Sequence, residues 1–178
     1  MRLTTLTGAE LNELFTTFER TAFRLETLQI YRVPGLDEQF ETFLRGDPLP
    51  PRNPETTLWL RQVADNAAAG KRTYRVHIVD RPLSDYLRYE LDSYQANVAA
   101  GEDVFIADRQ WHFDLEALRE DFWLFDERDL ILMRYDPDGR YLGAERATDP
   151  DLGEYLRRRD LALAHAVPLQ AYVAEADA

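Results

Sequence analysis

Apolar residues recur at helical spacing in some stretches and at every second position in others, and the alternation between these two patterns divides the chain. Leu11, Leu14, Phe15, Phe18 and Ala22 form one helical stripe, and Thr7 with Glu10 stands where a capping box would open it. The segment "MRLTTLTGAELNELF" therefore reads as a helix entry, without the long apolar run of a signal peptide. "AFRLETLQIYRV" (22–33) alternates as extended chain and stops at Pro34-Gly35. Asp37 introduces a short helix carrying Phe40, Phe43 and Leu44, closed by Gly46. Asn53 and Pro54 suit a helix start, and the stripe Leu58, Trp59, Val63, Ala67 runs on to Gly70.

"RTYRVHIVD" (72–80) is the clearest strand, with Tyr74, Val76 and Ile78 on one face and Arg75, His77 and Val79 on the other. A long helix over 82–101 follows, with Leu83, Tyr86, Leu87, Leu91, Tyr94 and Val98 inward, and then a strand at 102–108. Strand, helix, strand predicts a parallel crossover. "FWLFD" (122–126) and "LILMRYD" (130–136) form a hairpin, and Asp136-Pro137-Asp138-Gly139 turns the chain into 140–147. A final helix from Asp149-Pro150 reaches about Ala166, and Pro168 breaks it. These elements predict an α+β fold, a mixed sheet of four to five strands packed by helices. The proline-rich loop "GDPLPPRNP" (46–54) marks the best internal boundary. It sets an N-terminal helical and extended segment, 1–53, against a mixed-sheet body, 54–178, within what length makes one compact domain.

Composition narrows the function. The 178 residues carry 33 acids against 21 basic residues, a net charge of −12, which argues against direct nucleic-acid binding. Cysteine is absent, which excludes disulfides, thiolate metal sites and a cysteine nucleophile. No apolar stretch has the length of a membrane span, so a cytoplasmic protein without membrane association is expected. His77, His112 and His165 lie in three different elements and no metal motif joins them, so neither a metal nor a cofactor is expected. The two serines, Ser84 and Ser93, share one helix outside any nucleophile elbow, and Gly70-Lys71 lacks the rest of a phosphate loop. Asp126 and Asp136 sit at opposite ends of the hairpin, too far apart for a catalytic dyad. No catalytic residue is assigned.

A mixed patch remains. Arg24, Glu26, Tyr31 and Arg32 lie on the N-terminal extended segment, and Arg75 and His77 share the second face of the clearest strand. Arginine, histidine and tyrosine together can grip an anionic ligand or a protein partner. Trp59 and Asp126 complete the candidate ligand or partner surface. The competing reading makes Arg75 an internal ion pair and His77 a hydrogen-bonded core histidine, with Glu26, Asp80 and Glu90 as further acids that could face arginine.

"AFRLETLQIY" (22–31), "RVHIVDRPLSDYLRYEL" (75–91), "AGEDVFIAD" (100–108) and "DFWLFDERDLILMRYDPDGR" (121–140) resemble an uncharacterised actinobacterial family classed as a domain of unknown function. Members of that family are often encoded beside helix-turn-helix regulators. The resemblance implies a regulatory protein that works through protein–protein interaction, with such a regulator as its partner. The strand, helix, strand and hairpin order is also similar to half of a phospholipase D-like domain. Active members carry His-x-Lys followed four residues later by Asp. With that Asp on Asp126, the other two positions hold Arg119 and Asp121, so the half would be degenerate. The leading expectation is a non-enzymatic partner or sensor for a regulator. The alternative is an enzyme acting on a phosphorylated or other anionic small molecule.

Overall fold

The computed structural model describes residues 1–176. In chain order it contains β1 (Arg2–Leu6), α1 (Gly8–Thr17), β2 (Thr21–Glu26), α2 (Asp37–Leu44), α3 (Leu58–Ala68), β3 (Arg72–Val79), α4 (Asp85–Ala100), β4 (Asp103–Asp108), a 3-10 turn (Phe113–Ala117), β5 (Phe122–Phe125), β6 (Asp129–Tyr135), β7 (Tyr141–Thr148), α5 (Leu152–Ala164), β8 (Ala166–Pro168) and α6 (Leu169–Ala176). The strands form one mixed sheet in the order β1-β7-β6-β5-β2-β3-β4-β8. β2, β3 and β4 run parallel, and their neighbours on both sides are antiparallel.

The architecture is α+β, as expected, but the sheet has eight strands where four to five were expected. The additional ones include both edges. β1 lies in the stretch read as a helix entry, and β8 has only three residues. Runs this short on an edge bury too little to show a clear alternation. The helix expected to reach about Ala166 ends at Ala164, and Pro168 does not break it: Pro168 pairs with Phe105 at the end of β8, and a further helix, α6, starts at Leu169. An edge strand tolerates the missing N–H. Asn53 caps a turn, accepting from the Glu55 and Thr56 amides, and α3 starts only at Leu58.

One sheet face is apolar through its centre. Phe23 and Leu25 of β2, Tyr74, Val76 and Ile78 of β3, and Phe122 and Leu124 of β5 pack with Leu115, Leu118 and the α5 residues Tyr155 and Ala162. The opposite face has two separate apolar clusters. Leu14, Phe15 and Phe18 of α1 cover Trp123, Phe125 and Ile131 at one side. Leu87, Leu91 and Tyr94 of α4, with Leu169 and Tyr172 of α6, cover Val79, Val104 and Ile106 at the other. Between these clusters the β2 and β3 side chains are Arg24, Glu26, Arg75 and His77, all buried. Strand pairing forces the juxtaposition: Arg24 is opposite Arg75, and Glu26 is opposite His77.

The segment after β2 crosses this polar stripe. Arg32 joins the 136–139 turn through its backbone, accepting from Tyr141 N at 3.1 Å and donating to Gly139 O at 2.8 Å. Gly139 has φ +81°, and a Cβ there would lie 2.4 Å from the Ile30 carbonyl oxygen. We expect Gly139→Ala to destabilise the protein by roughly 1–3 kcal/mol, measured by urea unfolding, because it adds a backbone clash to a left-handed conformation.

Candidate functional site

The polar stripe is a closed network. Arg75 donates from Nε to Glu102 Oε1 at 2.6 Å and from Nη1 to Glu26 Oε2 at 3.0 Å. Arg24 donates from Nη2 to Asp121 Oδ2 at 2.8 Å, and its Nε lies 3.7 Å from Glu26 Oε1. Glu26 thus stands between the two guanidiniums. Tyr94 donates to Glu26 Oε2 at 2.7 Å, and Asn97 donates to Glu102 Oε2 at 2.7 Å. Asp121 receives the Thr27 amide and hydroxyl on Oδ1 and the Tyr31 hydroxyl, at 2.6 Å, on Oδ2 beside Arg24. His77 is fully buried, with Nε2 2.8 Å from the Leu28 carbonyl and Nδ1 2.9 Å from the Tyr94 hydroxyl. A carbonyl only accepts, so Nε2 carries a proton.

Burial alone would raise the Glu26 carboxyl, but Arg75 and Arg24 override it and hold its pKa down to about 2. Burial would likewise weaken proton binding by Arg24, and the tyrosines and carboxylates around it more than restore it. Glu90 behaves oppositely. Burial and the nearby Glu26 charge raise its pKa.

A cavity of about 360 Å³ opens above this network. Its floor includes Arg24, Glu26 and Arg75, and α4 contributes Tyr86, Tyr89, Glu90 and Tyr94. Phe15, Trp59 and Trp123 close one side, and Val33, Phe40 and Arg52 come from the segment that crosses above. Tyr31, Tyr86 and Tyr89 are buried there, with Phe40 and Phe43 packed against them. Arg24 Nη1 is buried without a hydrogen-bond partner. A wider groove of about 740 Å³ runs past Arg81, Leu83 and Val173, but its charged side chains Arg81, Arg88 and Asp92 lie at the surface, and Arg81 is already committed to the buried Asp108 at 2.8 Å. We take the smaller cavity as the site because polar groups converge there.

Among the residues singled out in the sequence, Arg24, Glu26, Tyr31, Trp59 and Arg75 meet at this cavity, and His77 lies in the network beneath it. Arg32 does not join them; it is exposed and contributes backbone pairing. Asp126 is also elsewhere. Its carboxylate accepts the amides of Glu19 at 2.8 Å, Arg20 at 2.7 Å and Thr21 at 2.9 Å, at the start of β2 and away from Glu26. Against the burial that would raise it, these amide bonds keep its pKa low. Asp136 similarly accepts the Asp138 and Arg140 amides of its own turn. Of the other acids weighed, Asp80 pairs with Arg109 at 3.0 Å, and Glu90 has no ion pair among the described residues.

The sequence reading missed Asp121, Glu102, Tyr94 and Asn97 as site residues. Asp121 carried a signal: it precedes β5 with the same facing as Trp123, and its partner strand places Arg24 opposite Trp123. Its position also held the lysine place of the phospholipase D-like pattern. Arg119, at the histidine place, is exposed and pairs with Glu116.

Residues 9–174 match the family described as a domain of unknown function, DUF6879. The chain belongs to the DUF6879 family. No curated protein matches this DUF6879 chain. Among solved structures it is weakly similar to the phosphatidylserine synthase of Haemophilus influenzae Rd KW20, with 13% identity and a TM-score of 0.42. The match covers 92% of this chain and 38% of that one, so the chain spans about two fifths of that protein's length. No helix among the described residues is long and apolar enough to cross a membrane.

Two predictions separate the network from the turn. Glu26→Gln leaves two buried guanidiniums short of a counter-charge and should cost roughly 3–5 kcal/mol by urea unfolding. The Glu26 carboxyl is depressed from 4.5 to about 2, so its contribution is complete above pH 4.5 and is lost as pH falls toward 2. Wild-type stability should therefore fall more steeply than that of Glu26→Gln across this window. Asp126→Ala should cost roughly 1–2 kcal/mol, as the loss of a cap does, and leave any cavity binding unchanged in a titration.

Proposed function

We propose that this DUF6879 protein binds a small organic molecule in the cavity above the Arg24–Glu26–Arg75 network and acts as a sensor. The observation that carries this reading is the cavity itself. About 360 Å³ of space is walled by aromatic rings and floored by oriented polar groups, and one guanidinium nitrogen in its wall, Arg24 Nη1, lacks an acceptor. Pockets that hold metabolite-sized ligands combine these features. Catalysis on an anion through Arg24, Arg75 and His77 draws less support. Both guanidiniums are already committed to carboxylates, and His77 is sealed below the surface.

The output of sensing would be a contact with a helix-turn-helix regulator, the partner that the family resemblance implies. The segment across the cavity suits such a role. α2 has no buried residue and exposes Leu36 and Leu44 at its two ends, so a change in the cavity would reach an outer surface directly.

Native mass spectrometry of protein purified from its own host tests the binding reading. The wild type should retain a small molecule. Val33→Trp, which fills the mouth from the crossing segment, should lose it while keeping its thermal midpoint within a few degrees. Equal retention by both proteins, or none by the wild type, would count against this cavity.

A further inference from the structure

The charges around the cavity are unequally committed. Arg24 is held by Asp121 and Glu26, and Arg75 by Glu26 and Glu102. Two guanidiniums therefore face three carboxylates, and even a protonated His77 would only bring the cluster to balance. The floor holds no surplus positive charge for an anion.

Glu90 is different. It lies on α4 four residues from both Tyr86 and Tyr94, lines the cavity in a half-buried position, and has no ion-pair partner among the described residues. The rings around it are electron-rich. Tyr86 and Tyr89 pack within 6.0 Å of each other, and Phe40 meets them at 5.4 Å and 5.6 Å. Aromatic faces attract cations, and the attraction grows where water is excluded. Burial first, and the nearby Glu26 charge second, disfavour the Glu90 carboxylate, and a bound positive charge beside it would offset both. Arg52, from the proline-rich loop, lines the same cavity, is half-buried and also lacks an ion pair among the described residues. Its charge already acts on Glu90 and Tyr89.

We propose that the ligand is a small organic amine whose ammonium group seats against Glu90 among the tyrosine rings, and that Arg52 competes with it for the same carboxylate. This rests on the ligand-binding reading above and gives that ligand its charge. The two charged residues then have opposite signs of effect. Removing Glu90 weakens the amine, and removing Arg52 strengthens it.

The test is calorimetric titration of the full chain with tyramine, with 4-hydroxyphenylacetate, which exchanges the amine for a carboxylate at similar size, and with inorganic phosphate. Wild type, Glu90→Gln and Arg52→Ala are compared, with circular dichroism confirming that each variant is folded. Both positions are partly solvent-exposed, so folding should survive either change. We expect tyramine to bind the wild type, to weaken about tenfold or more in Glu90→Gln, and to tighten severalfold in Arg52→Ala. Tighter binding of 4-hydroxyphenylacetate or phosphate, weakened in Arg52→Ala, would overturn the amine assignment and leave the cavity reading standing. If no probe binds, the molecule retained in native mass spectrometry decides: an amine lost from Glu90→Gln upholds the assignment, and an acid or a neutral molecule ends it. Neither probe binding nor retention would bring down both readings.

Discussion

Two arginines face each other across adjacent parallel strands in the middle of a sheet, and one glutamate between them makes this tolerable. Like charges directly opposite on neighbouring strands repel. Arg24 and Arg75 occupy such a pair of positions, and both are buried. Glu26 approaches each of them, with Asp121 and Glu102 completing the compensation from outside the two strands. Removing any one carboxylate leaves a buried guanidinium short of its counter-charge. The strand register, the position of Asp121 before β5 and the Gly101 turn that delivers Glu102 are therefore coupled by electrostatics as well as by packing.

This cluster shapes the layers around it. Helices cover a sheet by burying apolar stripes, and the second face offers apolar surface only on either side of the polar stripe. α1 and α3 take one side, while α4 and α6 take the other. α3 meets α4 at one end, through Leu60 and Val63 against Ala96 and Ala100, and the rest of the middle stays open. The gap is crossed by the irregular segment from Thr27 to Asn53, whose side chains add aromatic rings but do not fill the space. The cavity thus follows from where the charges are.

Much of this was legible in the residues. The facing of Arg75 and His77 opposite Tyr74, Val76 and Ile78 followed from strict alternation, and the parallel crossover followed from a helix between two strands. The edge strands were not legible, because three or five residues paired on one side bury too little to leave a pattern. The residues left His77 open between ligand and core, and its burial against Leu28 and Tyr94 depends on long-range placement that no local pattern carries. Asp126 misled because an aspartate at a strand end looks the same whether it faces a ligand or three backbone amides. Asp121 and Glu102 escaped notice because their partners lie 97 and 27 residues away, respectively, and the facing that Asp121 shares with Trp123 points to Arg24 only once β2 and β5 are paired.

The proposed binding of a small molecule would use this gap. The cavity is walled by tyrosine, phenylalanine and tryptophan rings, with polar groups at its floor and at Glu90 and Arg52. A molecule with one charged end and an apolar body matches that asymmetry better than water does. Binding it would also pull the crossing segment toward the sheet, since that segment supplies Val33, Phe40 and Arg52 to the same space. α2 rests on this space through its half-buried Phe40 and Phe43, which pack on Tyr86 and Tyr89. In the proposed sensing role, occupancy of the cavity would be conveyed to this outer helix through those rings.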